Sequence, residues 1–107
     1  MKWEIIYYSA GFQEEILGLP EGILARYIAL SDRMETYGPN LGMPHTRAMG
    51  GGLFEIRAKG KEGIGRVFYC TIVGNRIMML YCFVKKTEKT PSRELEIARK
   101  RLKEVKP

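Results

Sequence analysis

The chain has 107 residues, of which 45% are hydrophobic, so its composition excludes a disordered protein and favours one domain over residues 1–107. Its net charge of +6 favours an anionic partner such as a nucleic acid but does not prove one. No apolar run reaches the ~18–20 residues that cross a membrane, and no signal peptide is visible. We therefore expect a cytoplasmic protein without a membrane partner.

Side chains that bind metals or cofactors are scarce. The one histidine, His45, excludes a multi-histidine metal site, and no cysteine–histidine spacing indicates zinc. The sequence has no phosphate loop, dinucleotide-binding glycine pattern, serine-hydrolase motif or paired carboxylates. We expect no metal and no other cofactor. Cys70 and Cys82 are expected to be buried, reduced thiols on opposite faces of a sheet.

The N-terminal half predicts a strand followed by a helical hairpin. Trp3–Tyr8 is a short apolar and aromatic run with strand character. Ser9 suits the N-cap of a first helix, and Pro20 suits the start of a second. The second helix carries one apolar stripe, interpreted as core, made of Ile23, Tyr27, Leu30, Met34 and Tyr37. A loop is predicted from Asn40 to Gly52.

The strongest strand signals follow one another in the middle of the chain. Leu53–Lys59 alternates strictly, with Phe54, Ile56 and Ala58 on one side and charged residues on the other, which is the period of a strand. Arg66–Val73 and Arg76–Lys86 are rich in β-branched and aromatic residues. Two glycine-containing turns, including a two-residue turn at Gly74-Asn75, separate the runs and predict three consecutive antiparallel strands.

A last helix completes the predicted fold. Thr90, with Pro91 at the first helical position, is one way to start it, and Ser92 as the cap is another. Its apolar stripe consists of Leu95, Ala98, Leu102 and Val105, and it is basic elsewhere at Arg93, Arg99, Lys100, Arg101, Lys103 and Lys106. The predicted fold class is α+β: an antiparallel sheet of about four strands with an N-terminal helical hairpin and a C-terminal helix.

The predicted strand register gathers positive charge. It sets Arg57 opposite Arg66 and places Lys85 diagonal to Arg66 on the same face, within about 7–8 Å. Together with Lys59, these residues would meet at one end of one face. Like charges set directly opposite each other destabilise a sheet, so the group suits an anion such as phosphate. Alternatively, Glu55 neutralises the arginine pair in a structural network.

This inventory of cations, one carboxylate and tyrosines suits metal-free RNA cleavage. There the ribose 2′-hydroxyl is the nucleophile, and the protein aligns the strand, offsets charge on the phosphate and moves two protons. Arg47, in the predicted loop, would contact phosphate. The candidates for proton transfer are Glu55, His45, Tyr69 or a lysine with a lowered pKa, although Tyr69 is predicted on the opposite face from Arg66.

The predicted order of strand, two helices, three strands and helix resembles the RelE/ParE superfamily of bacterial toxins, most closely its HigB-like, phage-derived branch. The resemblance covers nearly the whole chain. Its four blocks are Leu41-Gly42-Met43-Pro44, Gly52-Leu53-Phe54-Glu55-Ile56-Arg57, Arg66-Val67-Phe68-Tyr69 and Phe83-Val84-Lys85-Lys86-Thr87-Glu88-Lys89-Thr90-Pro91.

The resemblance implies a toxin of a type II toxin–antitoxin system. RelE and HigB types enter the ribosomal A site and cut mRNA there without metal. The expected partners are therefore the ribosome, mRNA and a cognate antitoxin, which is often a small helix-turn-helix protein that binds and blocks the toxin.

The resemblance and the register together indicate two sets of basic residues. The catalytic set is Arg57, Arg66, Lys85 and Lys86. The RNA-binding set is Lys59, Lys61, Lys89 and Arg47. RelE carries a tyrosine shortly after its last basic pair, whereas Thr87–Ser92 has no aromatic residue here, so the proton-transfer group stays open.

Two other functions stay open from the sequence. ParE relatives share the fold but poison DNA gyrase without cutting RNA, and a basic nucleic-acid-binding module without catalysis would also fit the charge. The density of basic residues and the HigB-like blocks favour the ribonuclease. A neighbouring reading frame for a small helix-turn-helix protein would favour either toxin over the binding module.

Overall fold

Five strands form one sheet with three helices packed on it in the computed structural model, which describes residues 2–85 and 91–106. The strands are β1 (Glu4–Tyr7), β2 (Thr46–Gly50), β3 (Leu53–Gly60), β4 (Gly63–Ile72) and β5 (Arg76–Lys85). The helices are α1 (Ala10–Leu17), α2 (Glu21–Tyr37) and α3 (Ser92–Val105). The α+β class, the N-terminal helical hairpin and the C-terminal helix are confirmed. None of the described helices is long and apolar enough to span a membrane.

The sheet has one more strand than expected, and it is mixed rather than antiparallel. Its order is β1-β5-β4-β3-β2, with β1 parallel to β5 and the other neighbours antiparallel. The predicted loop Asn40–Gly52 is wrong over Thr46–Gly50, because these residues pair with β3 as β2. The run has little strand signal of its own, since only Thr46 is β-branched, and pairing with β3 determines its conformation.

Two errors in the predicted register of β5 cancel. The β4–β5 connection has three residues, because Ile72 pairs with Arg76, whereas the sequence predicts a two-residue turn. A β-bulge with Leu80 as the extra residue then restores the predicted pairing, so that Arg66 lies opposite Phe83. The predicted register is therefore confirmed at the end of the sheet that carries the basic residues.

Each face of the sheet has its own core. The hairpin face packs against α1 and α2 through residues that include Phe12, Ile16, Ile23, Tyr27, Leu30, Met34, Ile56, Val67, Ile77 and Met79. The α3 face packs against α3 through Leu53, Phe68, Leu80, Ala98 and Leu102. Cys70 belongs to the α3 face and Cys82 to the hairpin face, and both are buried free thiols as expected. Burial raises the pKa of Cys82 to about 12 and also raises that of Cys70.

The first turn of α2 lies directly against the β3–β4 hairpin. Glu62, in the hairpin turn, accepts a hydrogen bond from the Gly22 N–H at 2.9 Å, which lowers the pKa of Glu62. A Cβ on Gly60 would lie 2.7 Å from the Ile23 nitrogen, and one on Gly65 would lie 2.4 Å from Ile23 Cγ2. This close approach requires glycine in the strands and sets α2 at the same end of the sheet as the basic residues.

Candidate functional site

Four basic side chains occupy two neighbouring rows on the α3 face of β3, β4 and β5. Arg57 pairs with Arg66 in one row, and Lys59 and Lys85 flank Ile64 in the next. We call Lys59, Arg57, Arg66 and Lys85 the cationic cluster. Arg66 is 1% exposed and Lys85 is 8% exposed, whereas Arg57 is half-buried and Lys59 is exposed. The cluster therefore has two buried cations, Arg66 and Lys85, and an accessible rim formed by Arg57 and Lys59.

Glu55 organises the arginines from the adjoining row of the same face. Its side chain has no exposed surface, and its Oε1 accepts hydrogen bonds from Arg66 Nη1 at 3.1 Å and from Arg47 Nε at 3.0 Å. The Glu55 network considered from the sequence is thus present for Arg66, with Arg47 as its second arginine, and it coexists with the cationic cluster. Because the buried Glu55 oxygen already binds two guanidinium groups, this arrangement favours a structural role for Glu55 over the proton transfer considered from the sequence.

Arg47 belongs to a strand and not to the loop predicted from the sequence. It lies in β2, directly opposite Glu55 in β3, and its side chain is 38% exposed. Its guanidinium joins the Glu55 network at Nε. Arg47 therefore extends the positive surface of the site while it also anchors the edge strand.

An open cavity of about 370 Å³ lies beside the rim of the cationic cluster. Its walls come from α2, the loop before β2, β3 and β4, and the lining residues are Arg26, Pro44, His45, Arg57, Lys59 and Ile64. We call it the edge cavity. Three of these six residues are cationic and none is a carboxylate. The described lining therefore combines positive charge with apolar surface.

His45 is held at the edge cavity by its backbone. Its N–H donates to the Gly42 carbonyl at 3.0 Å, and its own carbonyl accepts from the Arg57 N–H at 2.8 Å. The Thr46 hydroxyl accepts from the Gly42 N–H at 2.9 Å and tightens the same turn. His45 thus lies in the wall of the edge cavity together with Arg57 and Lys59. Of Glu55, Tyr69 and His45, His45 is the one that is partly exposed beside the rim.

Tyr69 lies on the hairpin face, as the register predicts. Its side chain is fully buried, its hydroxyl donates to the Pro39 carbonyl, and its ring stacks on Phe54 with 5.6 Å between the centroids. Burial raises the pKa of Tyr69 to about 12. The sheet itself separates this phenol from the cationic cluster, which counts against the proton-transfer role considered for Tyr69.

Of the three remaining basic candidates, Lys61 lies within the described residues, and Lys86 and Lys89 do not. Lys61 is exposed in the β3–β4 turn, next to the Lys59 end of the cluster. Lys86 and Lys89 lie outside the described residues, so their assignments stay predictions.

Arg26 is the lining residue that sequence reasoning missed. It is an exposed residue of α2, and no pattern around it distinguishes it from a solvated helix arginine. Gly22 lies one turn earlier and packs on the hairpin, so the close approach of α2 to Gly60 and Gly65 is what brings Arg26 to the edge cavity. Those glycines are the available sequence signal, but they do not say which helix approaches them.

Comparisons with known proteins agree on the fold. Residues 14–103 match the family described as Phage derived protein Gp49-like (DUF891). A chain in the crystal structure of the archaeal RelE-RelB complex from Pyrococcus horikoshii OT3 is similar, with a TM-score of 0.55 and 20% identity, over 78% of this chain and 96% of that chain. No curated protein matches the sequence. The chain therefore belongs to the phage-derived Gp49-like family, a RelE/HigB-type toxin family, and it has a RelE-like fold.

Proposed function

We propose that this chain is the toxin of a type II toxin–antitoxin system and that it cuts mRNA on the ribosome. The observation that carries the proposal is the cationic cluster, in which four basic side chains share two rows beside the Glu55 network. Membership of a RelE/HigB-type family supports the toxin assignment. Residues 1–107 would act as one toxin domain in the cytoplasm.

The proposed reaction is a transesterification within the RNA backbone. The 2′-oxygen attacks the adjacent phosphorus and loses its proton to a base, and the 5′-oxygen of the next nucleotide leaves with a proton from an acid. The products are a 2′,3′-cyclic phosphate and a 5′-hydroxyl. Arg57 and Lys59, at the accessible rim, would bind the phosphate oxygens and offset their growing charge. Arg66 and Lys85 would strengthen the positive field beneath them.

His45 is the proposed group for one of the two proton transfers. Imidazole is the side chain most often used in general acid–base catalysis. The backbone hydrogen bond from the Arg57 N–H to the His45 carbonyl fixes this loop beside the rim, which supports the proton-transfer role of His45. The second proton-transfer group is not assigned.

An antitoxin is the proposed protein partner, with the ribosome and mRNA as the target. The similar archaeal chain is described in a RelE-RelB complex, which supports such a partner for this fold. We expect a small helix-turn-helix protein encoded beside this chain to restore growth when both are expressed together.

Regulated expression in a bacterial host tests the proposal. Wild type should arrest growth and create new mRNA 5′ ends inside translated frames. Arg57→Gln should reduce these cuts roughly 10²-fold, the usual cost of losing one group that stabilises developing charge. Arg33→Gln is the matched control, since it removes the same charge from an exposed position on α2.

Arg57 is a better test than Arg66, which is 1% exposed and bound to Glu55, so that its loss would also disturb folding. Growth arrest with intact mRNA and induced DNA repair would support a ParE-like gyrase inhibitor instead. Equal cutting by wild type and Arg57→Gln would remove the cationic cluster from the mechanism.

A further inference from the structure

Arg26 lies beside the cationic cluster but belongs to α2 and not to a strand of the sheet. Arg26 is exposed on α2 and lines the edge cavity together with Arg57 and Lys59 of β3. The contacts of Gly22 and Ile23 with the β3–β4 hairpin hold α2 in this position. Three cations from two separate elements therefore converge on one cavity.

The rest of the lining provides surface for a flat ligand. Pro44 and Ile64 are apolar, and His45 contributes an imidazole ring. A volume of about 370 Å³ is at the small end of the range for ligand sites, about 300–1,000 Å³. This size suits one nucleotide and is too small for a duplex or a folded partner.

The chemistry of the lining matches an unpaired nucleotide. Proteins bind splayed RNA bases by stacking them on histidine rings or arginine planes, and they bind phosphate with arginine and lysine. Cations alone would suit any small anion. The imidazole and the proline beside them add the surface that a base needs and a free phosphate does not.

We propose that the edge cavity binds one unpaired nucleotide of a single-stranded RNA, next to the phosphate at the cationic cluster. His45 and Pro44 supply the surface for the base, and Arg26 binds its phosphate or the polar edge of the base. The inference rests on the proposed function because it takes RNA as the ligand. It assigns Arg26 to RNA binding.

The single histidine makes the experiment direct, because all imidazole signals of the spectrum belong to His45. The purified chain is titrated at fixed pH with a single-stranded tetraribonucleotide and, separately, with inorganic phosphate. A stacked base should move the His45 ring signals upfield, since the ring current of the base shields them. Phosphate alone should not reproduce this shift.

A pair of matched variants isolates Arg26. Arg26→Gln should weaken binding of the tetraribonucleotide about 5–10-fold, in the range of one lost contact to a nucleotide. Arg33→Gln makes the same change seven residues later on the same side of α2, about 10 Å away. Arg33 does not line the cavity, so this variant should bind like wild type.

Three results would each overturn the inference. They are an unchanged His45 signal with RNA, an equal shift with phosphate alone, and equal affinities of the two variants for RNA. No ribosome enters the measurement, so the binding result stands even where mRNA cleavage fails. Conversely, mRNA cleavage without a His45 shift would contradict the nucleotide site and the proton-transfer role of His45, and it would leave the proposed ribonuclease activity standing.

Discussion

Glu55 shows how one buried carboxylate lets like charges share a sheet. Arg57 and Arg66 lie directly opposite each other, an arrangement that destabilises a sheet when nothing compensates it. Glu55 occupies the adjoining row and binds Arg66 and Arg47 through the same oxygen. The sequence left the structural network and the anion site as alternatives. In the structure both are present, because the Glu55 network holds in place arginines of the cationic surface.

Replacing Glu55 should therefore damage stability before it alters chemistry. Glu55→Gln removes the charge but nearly keeps the shape, and it leaves the Arg66 guanidinium buried without that carboxylate. The free energy of unfolding should fall by about 3–5 kcal/mol in urea denaturation, the usual cost of breaking a buried ion pair. Glu96→Gln, at an exposed position of α3, should change it by less than about 0.5 kcal/mol. A loss as small as that for Glu55→Gln would contradict the network.

Tyr69→Phe separates a structural tyrosine from a catalytic one. The variant loses the hydrogen bond to the Pro39 carbonyl, so the free energy of unfolding at neutral pH should fall by about 1 kcal/mol. Because the phenol lies on the hairpin face, mRNA cutting should be unchanged. Abolished cutting by a folded Tyr69→Phe variant would show that the phenol reaches the RNA.

The pH dependence of the same variant gives a second readout. Burial raises the pKa of Tyr69 from 10.0 to about 12, so the unfolded chain loses this proton at lower pH than the folded one. The stabilisation is complete below about pH 10 and is lost as the pH rises towards about 12. Wild type should therefore lose stability faster than Tyr69→Phe over this range, and parallel curves would contradict the assignment.

At the scale of elements, the contact between α2 and the β3–β4 hairpin positions the edge cavity. Gly65 packs against the Ile23 side chain, and the Glu62 carboxylate accepts a hydrogen bond from the Gly22 N–H in the first turn of α2. Arg26 follows one turn later. The accessible half of the site therefore depends on how closely a helix can approach two strands.

Gly65→Ala tests this close approach. The new methyl group would lie 2.4 Å from Ile23 Cγ2, a side chain with no exposed surface, so α2 or β4 must shift. Overpacking of this kind typically costs about 1–3 kcal/mol in urea denaturation. Gly11→Ala in α1 is the control, since its nearest contact would be 3.9 Å away and alanine favours helix by up to about 1 kcal/mol. Equal effects of the two variants would mean that α2 does not pack tightly there.

The elements also show what the sequence can and cannot predict. Alternation in Leu53–Lys59 and the glycine turns were enough to place Arg57 opposite Arg66, because strand pairing follows from local signals. β2 could not be predicted, since its conformation comes from pairing with β3. The bulge at Leu80 has no signal of its own, and the predicted pairing with Phe83 survived because the turn error compensated for it. The edge cavity depends on tertiary packing, which no local pattern encodes.

At the scale of the whole molecule, the positive charge has two separate uses. On α3, Arg101 donates to the Leu80 carbonyl at 2.8 Å and lies over the Tyr8 ring at 4.5 Å, and Arg99 donates to the Met49 carbonyl at 2.8 Å. These two arginines fix the C-terminal helix against the rest of the fold. The net charge therefore overstates the surface available to RNA. The cationic cluster, at the other end of the α3 face, is the specific argument for a phosphate ligand.

Cleavage of ribosome-bound mRNA through the 2′-hydroxyl leaves a chemical signature on the cut ends, so the ends of the fragments decide whether this site acts as proposed. Purified protein is added to ribosomes programmed with a defined mRNA in a reconstituted translation system, and the fragments are mapped and their ends analysed. We expect a cut in the A-site codon, a 5′-hydroxyl on the downstream fragment, and no cut in the same mRNA without ribosomes. Intact mRNA on the ribosome, or a downstream fragment with a 5′-phosphate, would contradict this mechanism.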